Sequence, residues 1–276
     1  MRRVGPDLVF SPTDVTKHLA CPHVTTLDLL ALAGSGPAPT APDDSLMLVF
    51  GHGVDHERRY LEHLRGQGGR VVEIPSDGSA REATEAALRS GADVVYQGAL
   101  GQGRWAGYAD FLLRVEEPSA LGPWRYDVAD TKLARRLKVP ALIQLATYAE
   151  ALEQIQAVPA RRLLVVAGDG AEHPWRLVDA AAYSARARRR LEGAADATWA
   201  EIGEGGAGTT VPVPVPYCLQ CRWSTHCTAQ WEAADDLSLV AGMRPAYREA
   251  LQEAGLGTVE ALAAHPRDDP PVTLTR

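Results

Sequence analysis

Apolar positions change period several times along the chain, and the changes predict a mixed order of helices and strands. Ser11-Pro12-Thr13-Asp14 reads as a helix start, with Ser11 as cap and Pro12 at the first helical position. Cys21-Pro22 ends that helix, and a second apolar helix runs from His23 to about Leu32. Gly34 to Pro42 is a Gly/Pro loop. A long helix follows over about 44–65, its apolar spacing set by Met47, Val54, Tyr60, Leu61 and Leu64. A strand over 70–74 and a helix over 80–90 come next. Three strand-like runs, 93–100, 104–115 and 124–132, have short Gly/Pro-bearing connections and predict an antiparallel meander. Pro140 opens a helix to about Ile155, and 162–167 reads as a buried strand. Asp169-Gly170 turns the chain into a strand around 175–178, and an Ala/Arg helix spans about 180–202. The expected fold class is α/β, a mixed central sheet flanked by helices.

Beyond Gly203 the pattern breaks. Gly203 to Gly208 and the alternating Val211-Pro212-Val213-Pro214-Val215-Pro216 predict a linker, flexible and then stiff. From about Asp236 a small C-terminal helical hairpin is expected, one helix over 245–254 stopped by Gly255 and another from the Thr258 cap to Ala264. The stretch 266–276 is a Pro-rich tail. The organisation read from this is 1–232, 236–265 and 266–276, without internal repeats.

Composition narrows the classes. The 276 residues are 46 % hydrophobic and 23 % charged, an ordinary globular balance. No apolar run reaches the roughly 18–20 residues of a membrane span, and no cleavable leader follows the basic start, so a soluble cytoplasmic protein without membrane partners is expected. The net charge of −7 runs against a nucleic-acid binder, but local basic patches stand at Lys132, Arg135, Arg136 and Lys138 and at Arg186, Arg188, Arg189 and Arg190.

The chemistry concentrates in a few segments. In Val128-Ala129-Asp130-Thr131-Lys132, residues two apart share a strand face, so Asp130 and Lys132 project together. The preceding strand carries Asp110 between Ala109 and Phe111. Two carboxylates on neighbouring strands repel, and a divalent cation relieves that repulsion. The long helix supplies Gly53-Val54-Asp55-His56-Glu57 and can bring His56 or Glu57 to the same ion. His52 and His56 lack the zinc-protease order, because the Glu follows the second His. Gln144 and Tyr148 lie four apart on one helix face. Gly101 to Gly107 has dinucleotide-loop glycines but sits between two strands, and is discarded.

Cys218-x2-Cys221-x5-Cys227 is a metal-binding spacing. The fourth donor is either His226 or Cys21. Zinc accepts either, whereas a four-iron cluster takes four thiolates.

Together these motifs resemble the RecB-type branch of the PD-(D/E)XK nucleases, in particular members with a four-cysteine iron–sulfur cluster such as CRISPR-adaptation exonucleases and AddB-type nucleases. The resemblance rests on Cys21, Gly53 with His56, Asp110, Asp130 with Lys132, Gln144 with Tyr148, and Cys218, Cys221 and Cys227, in that order. The proline of the family signature has no counterpart just before Asp110. The resemblance implies a restriction-endonuclease-like fold over 1–232 and metal-dependent hydrolysis of DNA phosphodiesters, single-stranded or at ends. It implies Asp110, Asp130, Lys132, Gln144 and Tyr148 as catalytic residues. His56, Asp110, Asp130 and the Thr131 carbonyl would hold Mg²⁺ or Mn²⁺, and Cys21, Cys218, Cys221 and Cys227 a [4Fe-4S] cluster. Arg135, Arg136 and Lys138 would screen the DNA backbone. The segment 239–262 looks like a helix-hairpin-helix element, which in similar bacterial proteins precedes a further domain, so the chain is expected to be part of a longer protein. The competing expectations are a non-catalytic DNA-binding module and a zinc-ribbon interaction protein.

Overall fold

The computed structural model describes residues 1–134 and 139–266. In chain order the strands are β1 Arg2–Val4, β2 Asp7–Val9, β3 Val71–Glu73, β4 Val94–Gln102, β5 Trp105–Val115, β6 Arg125–Thr131, β7 Arg162–Val166 and β8 Glu172–Arg176. The helices are α1 Pro12–Ala20, α2 Pro22–Leu32, α3 Asp44–Gly66, α4 Ala80–Arg89, α5 Val139–Gln156, α6 Leu177–Gly203, α7 Ser224–Ala233, α8 Pro245–Glu253 and α9 Val259–Ala264. The chain packs as two compact units, Met1–Leu19 with Asp43–Ala194, and Ala20–Pro42 with the chain from Ala195 onward. The segment read as 1–232 therefore runs through both, and the hairpin read as 236–265 falls in the second.

The first unit is built on a six-stranded mixed sheet in the order β3-β4-β5-β6-β7-β8. β4, β5 and β6 form the antiparallel meander, with Val95 opposite Leu112 and Leu112 opposite Val128. β6 and β7 run parallel, and α5 makes the crossover between them. These strands are covered on both faces, which explains their near-continuous apolar runs. One face, with Val95, Leu112, Val128 and Leu163, joins the core that includes Leu145 and Leu152 of α5 and Leu88 of α4. The other, with Val94, Phe111, Ala129 and Val166, packs against Tyr60, Leu61 and Leu64 of α3. Phe111 meets the Tyr60 ring edge-on at 5.1 Å between centroids, worth about 0.5–1.5 kcal/mol beyond area burial.

Several local details depart from the pattern read in the sequence. Ser11 does start α1, but Asp14 reaches back to it, accepting from the Ser11 N–H (2.8 Å) and hydroxyl (2.9 Å) and pairing with the terminal amine of Met1 at 2.8 Å. The hairpin β1–β2 had no signal. In α3 only His56 and the later Tyr60, Leu61 and Leu64 are buried; Met47 and Val54 are 54 % and 55 % exposed, so the apolar spacing does not describe its first half. The Gly-containing stretch 101–107 is the β4–β5 hairpin, Gly103 taking φ +55 at its tip.

The second unit is helical. α2 packs through Val24 and Leu27 on Trp223 and Cys227, and Asp236 anchors the start of the C-terminal hairpin by accepting from Arg248 of α8. The α8–α9 hairpin has Gly255 at φ +82 after α8, and the Thr258 hydroxyl accepts from the Ala261 N–H at the start of α9. Among the described residues no helix is long and apolar enough to cross a membrane.

Candidate functional site

The register of the meander brings the two acids together. Phe111 pairs with Ala129, so one step further along β5 and β6 sets Asp110 opposite Asp130. Asp130 shares a face with Val128 and, beyond the strand end, with Lys132. The Lys132 Nζ lies 2.5 Å from Asp130 Oδ2 as an ion pair without hydrogen-bond alignment, and both Asp130 oxygens are buried with no hydrogen-bond donor other than the facing Asp110. Asp110 keeps slight solvent contact but is packed on most sides. Burial first, then the charge of Asp130 and a hydrogen bond to the Asp130 carboxylate, hold its carboxyl well above the usual carboxylate range; Glu57 adds to this and Lys132 opposes it. The facing carboxyl groups, with no other donor to the Asp130 oxygens, form a site that takes a proton or a cation between them.

α5 covers this face. Tyr148 is buried, and the Gln144 side chain hydrogen-bonds it one turn away. Burial, and then the charges of Asp110 and Asp130, push the Tyr148 phenol up, so it stays a neutral hydroxyl. A Cβ on Gly107 of β5 would lie 2.8 Å from the Tyr148 hydroxyl, which is why this strand position takes no side chain. Asp110, Asp130 and Lys132 thus lie together close to Tyr148 and Gln144 of α5.

α3 delivers two residues differently. His56 is buried, its Nε2 3.3 Å from the Val166 carbonyl. A carbonyl only accepts, so Nε2 carries the hydrogen and Nδ1 is left as the lone-pair donor. Glu57 accepts from the Tyr96 hydroxyl (2.8 Å) and from Gln97 Nε2 (2.6 Å). Burial and the Glu57 bond push the Tyr96 phenol up to about 12. Gln97 lies opposite Asp110 and takes φ +56, a left-handed conformation that a non-glycine residue holds at a cost of about 1–3 kcal/mol. Tyr96 and Gln97 were not singled out from the sequence; their signal, a kinked backbone, is absent from composition and periodicity. Thr131 is buried at the end of β6 opposite Val166. Among the described residues no group of three or more His, Cys, Asp and Glu side chains is arranged to hold a metal ion, so His56 does not join the two acids as a ready-made triad.

Arg135, Arg136 and Lys138, read as nucleic-acid-binding, lie outside the described residues. In the second basic patch, Arg188 is committed to Glu150 and to the Trp105 ring, while Arg186, Arg189 and Arg190 are exposed.

In the second unit all four cysteines are free thiols and line one pocket, with Trp223, Trp231 and Tyr217 around them. Cys21 lines it and His226 does not; the His226 ring instead meets Gln230 at 3.0 Å. The Val215 N–H donates to Cys218 Sγ (3.4 Å) and the Trp223 N–H to Cys221 Sγ (3.5 Å). Asp28 of α2 accepts from Arg222 Nη2 (2.7 Å) and from Trp223 Nε1 (2.8 Å), fastening the helix that follows Cys21 to the loop carrying the other cysteines. Burial, with the neighbouring thiols adding to it, pushes Cys227 up to about 12. Neutral thiols this close are inert until something draws off their protons.

No family model matches this sequence, and no match to a curated protein was found.

Proposed function

We propose that this protein is a divalent-metal-dependent nuclease of the PD-(D/E)XK type that hydrolyses DNA, single-stranded or at ends, and carries a structural [4Fe-4S] cluster. The observation that carries the reading is the pairing of Asp110 with Asp130, whose oxygens are buried without other hydrogen-bond donors beside Lys132. The strand order supports it as well: a helix, a three-stranded meander, a crossover helix and a parallel strand, with Asp110 midway along β5 and Asp130 near the end of β6.

The donor chemistry of the acids suggests which metal they would take. Two facing carboxylates suit a hard, oxygen-seeking cation such as Mg²⁺ or Mn²⁺ better than a soft one. The His56 Nε2–H bonded to a backbone carbonyl is the kind of contact that orients a metal-ligating imidazole, here through Nδ1. Asp110, Asp130 and His56, with the Thr131 carbonyl, would hold the ion. Bound there, it supplies Lewis acidity and an activated water. Lys132 places a positive charge beside the acids where negative charge develops on the phosphate. Gln144 and the neutral Tyr148 hydroxyl offer hydrogen bonds to a phosphate or base, and Arg135, Arg136 and Lys138 are assigned to the DNA backbone.

We assign the cysteine pocket to a polynuclear centre because its four thiols line a single space, as four terminal ligands of one centre would. Backbone N–H groups donate to two of the sulfurs, contacts of the kind that tune a sulfur-ligated cluster. Four unpaired thiols suit a reducing compartment, and we assign the protein to the cytoplasm.

One observation favours a second reading, a non-catalytic DNA-binding module: no triad of metal ligands is assembled among the described residues. Isothermal titration with Mn²⁺ separates the two. Binding in the wild type that is lost in Asp130→Asn supports the nuclease, and no binding in either supports the module.

A further inference from the structure

We propose that Gln97 is a positioning residue of the acid site, fastening Glu57 to β4 so that the preceding His56 keeps its place as a metal donor; this rests on reading the acids as a nuclease site. Tyr96 and Gln97 both donate to Glu57 Oε1, at 2.8 and 2.6 Å. Neighbours on a regular strand point to opposite faces, so two of them meeting on one oxygen takes a break in the strand. The break is at Gln97. The β4–β5 ladder pairs Tyr96 with Phe111 and Gly98 with Ala109 but skips Gln97, which stands at φ +56. In a regular strand its side chain would lie directly across from Asp110. The left-handed backbone sends its amide to Glu57 instead.

Glycine holds that conformation without strain, yet the position carries a side chain, and strained non-glycine residues cluster where function uses them. Here the side chain is used on α3. That helix is tied toward the other edge of the sheet by Tyr60, whose hydroxyl donates to Glu172 of β8 at 2.9 Å, and by the His56 bond to the Val166 carbonyl of β7. Glu57 supplies the polar tie to β4, and β5 and β6, which carry the acids, lie between these strands. Glu57 is also close enough for its charge to raise the Asp110 carboxyl. The Gln97 bond is charge-assisted, so it is the kind of contact that fixes a helix locally. Removing the amide loosens α3 beside the imidazole and leaves the acids and Lys132 as they are.

The test compares the full wild-type chain with Gln97→Gly, which frees the backbone, and Gln97→Met, which keeps the bulk without the amide. Each is titrated with Mn²⁺ by calorimetry and assayed for kcat and KM on end-labelled single-stranded DNA. Thermal melts with chelator present show which variants are folded. In a folded variant, Mn²⁺ affinity and kcat should each fall about tenfold or more, the scale for a group that supports a metal ligand, with KM for DNA unchanged. Wild-type Mn²⁺ affinity and kcat in either folded variant would overturn the proposal, even where its melting midpoint drops, and would leave the nuclease reading standing. A wild type that neither binds Mn²⁺ nor cuts DNA would overturn both. The two substitutions act differently on the backbone, so one that folds poorly leaves the other to decide.

Discussion

Asp127 and Asp130 are three residues apart on one strand and are equally buried, at 3 % exposure, yet their surroundings differ completely. Asp127 Oδ1 accepts from the backbone N–H groups of Arg161 (2.7 Å) and Arg162 (3.1 Å), and Oδ2 from the Arg162 side chain (3.3 Å), so its charge serves the fold. Asp130 has an off-axis lysine and a facing carboxyl. A buried carboxylate without donors is costly, and the fold retains it. The cost has a pH signature. The Asp110 pKa is raised in the fold, so its contribution to stability is full below about pH 4, the unfolded value, and is lost as pH rises through the folded value. In thermal melts with chelator present, Asp110→Asn is expected to gain on the wild type steadily from pH 4 to pH 8. A gap that does not change with pH would mean that the two acids do not interact. Adding Mn²⁺ at pH 8 should raise the wild-type midpoint and leave Asp110→Asn unmoved. Both acids and the lysine were legible in the sequence because a strand's two-residue period fixes shared faces. The roles of Tyr96 and Gln97 were not, because a positive φ arises from packing around the site and leaves no pattern in the chain.

Elements hold the site through close approaches. Gly107 leaves room for the Tyr148 hydroxyl, with Pro12 Cδ on the same side at 3.2 Å. Gly107→Ala should therefore displace α5 locally and destabilise by about 1–3 kcal/mol, read by chemical denaturation. Gly53 of α3 is the contrast: a Cβ there meets nothing within 4 Å, and the position is helical. Gly53→Ala should stabilise by about 0.5–1 kcal/mol. A Gly53→Ala variant that is more stable but cleaves less would assign that surface to substrate, whereas destabilisation would contradict the packing described. In the second unit, Arg248 of α8 donates from two nitrogens to Asp236, and its hydrogen bond is the main cause holding that carboxyl far below the ordinary range. A depressed carboxylate contributes above its unfolded pKa, near 4, and loses that contribution as pH falls toward the folded value. Arg248→Met should cost about 1.5–3 kcal/mol at pH 7 and progressively less in acid. A cost independent of pH would refute the ion pair. Helix existence was legible wherever caps and period agreed, as in α5 and α8. α3 forms over the range read, but its buried face was not legible in its first half, where Met47 and Val54 fit the period and face solvent; α7, which forms around Cys227 with almost no amphipathic signal, was not read as a helix.

At the scale of the molecule, chemistry divides between the units: the acids, Lys132 and α5 belong to the first, and the cysteine pocket to the second. The α/β order and the mixed sheet could be read from the sequence, because strands covered on both faces are apolar throughout. The division could not, since Ala20–Pro42 enters the second unit at the Cys21-Pro22 junction between two helices and ends in a Gly/Pro loop that looks like an ordinary connection. The division makes the cysteine pocket separable from the acids by mutation. Cys221→Ala should lower iron content and the protection of 217–233 in hydrogen exchange, while amides of β4, β5 and β6 keep theirs. Equal loss in both regions would show that the pocket supports the sheet.

The central claim is that Asp110 and Asp130 hold a metal that cuts DNA. It is tested most directly by incubating end-labelled single- and double-stranded DNA with Mn²⁺ and either the wild type or Asp130→Ala. The account predicts cleavage by the wild type, none with chelator, and a loss of on the order of a thousandfold or more in the variant, the scale of removing a group that acts in the transition state. Cleavage by Asp130→Ala at the wild-type rate, or no cleavage by a folded, metal-loaded wild type, would contradict it.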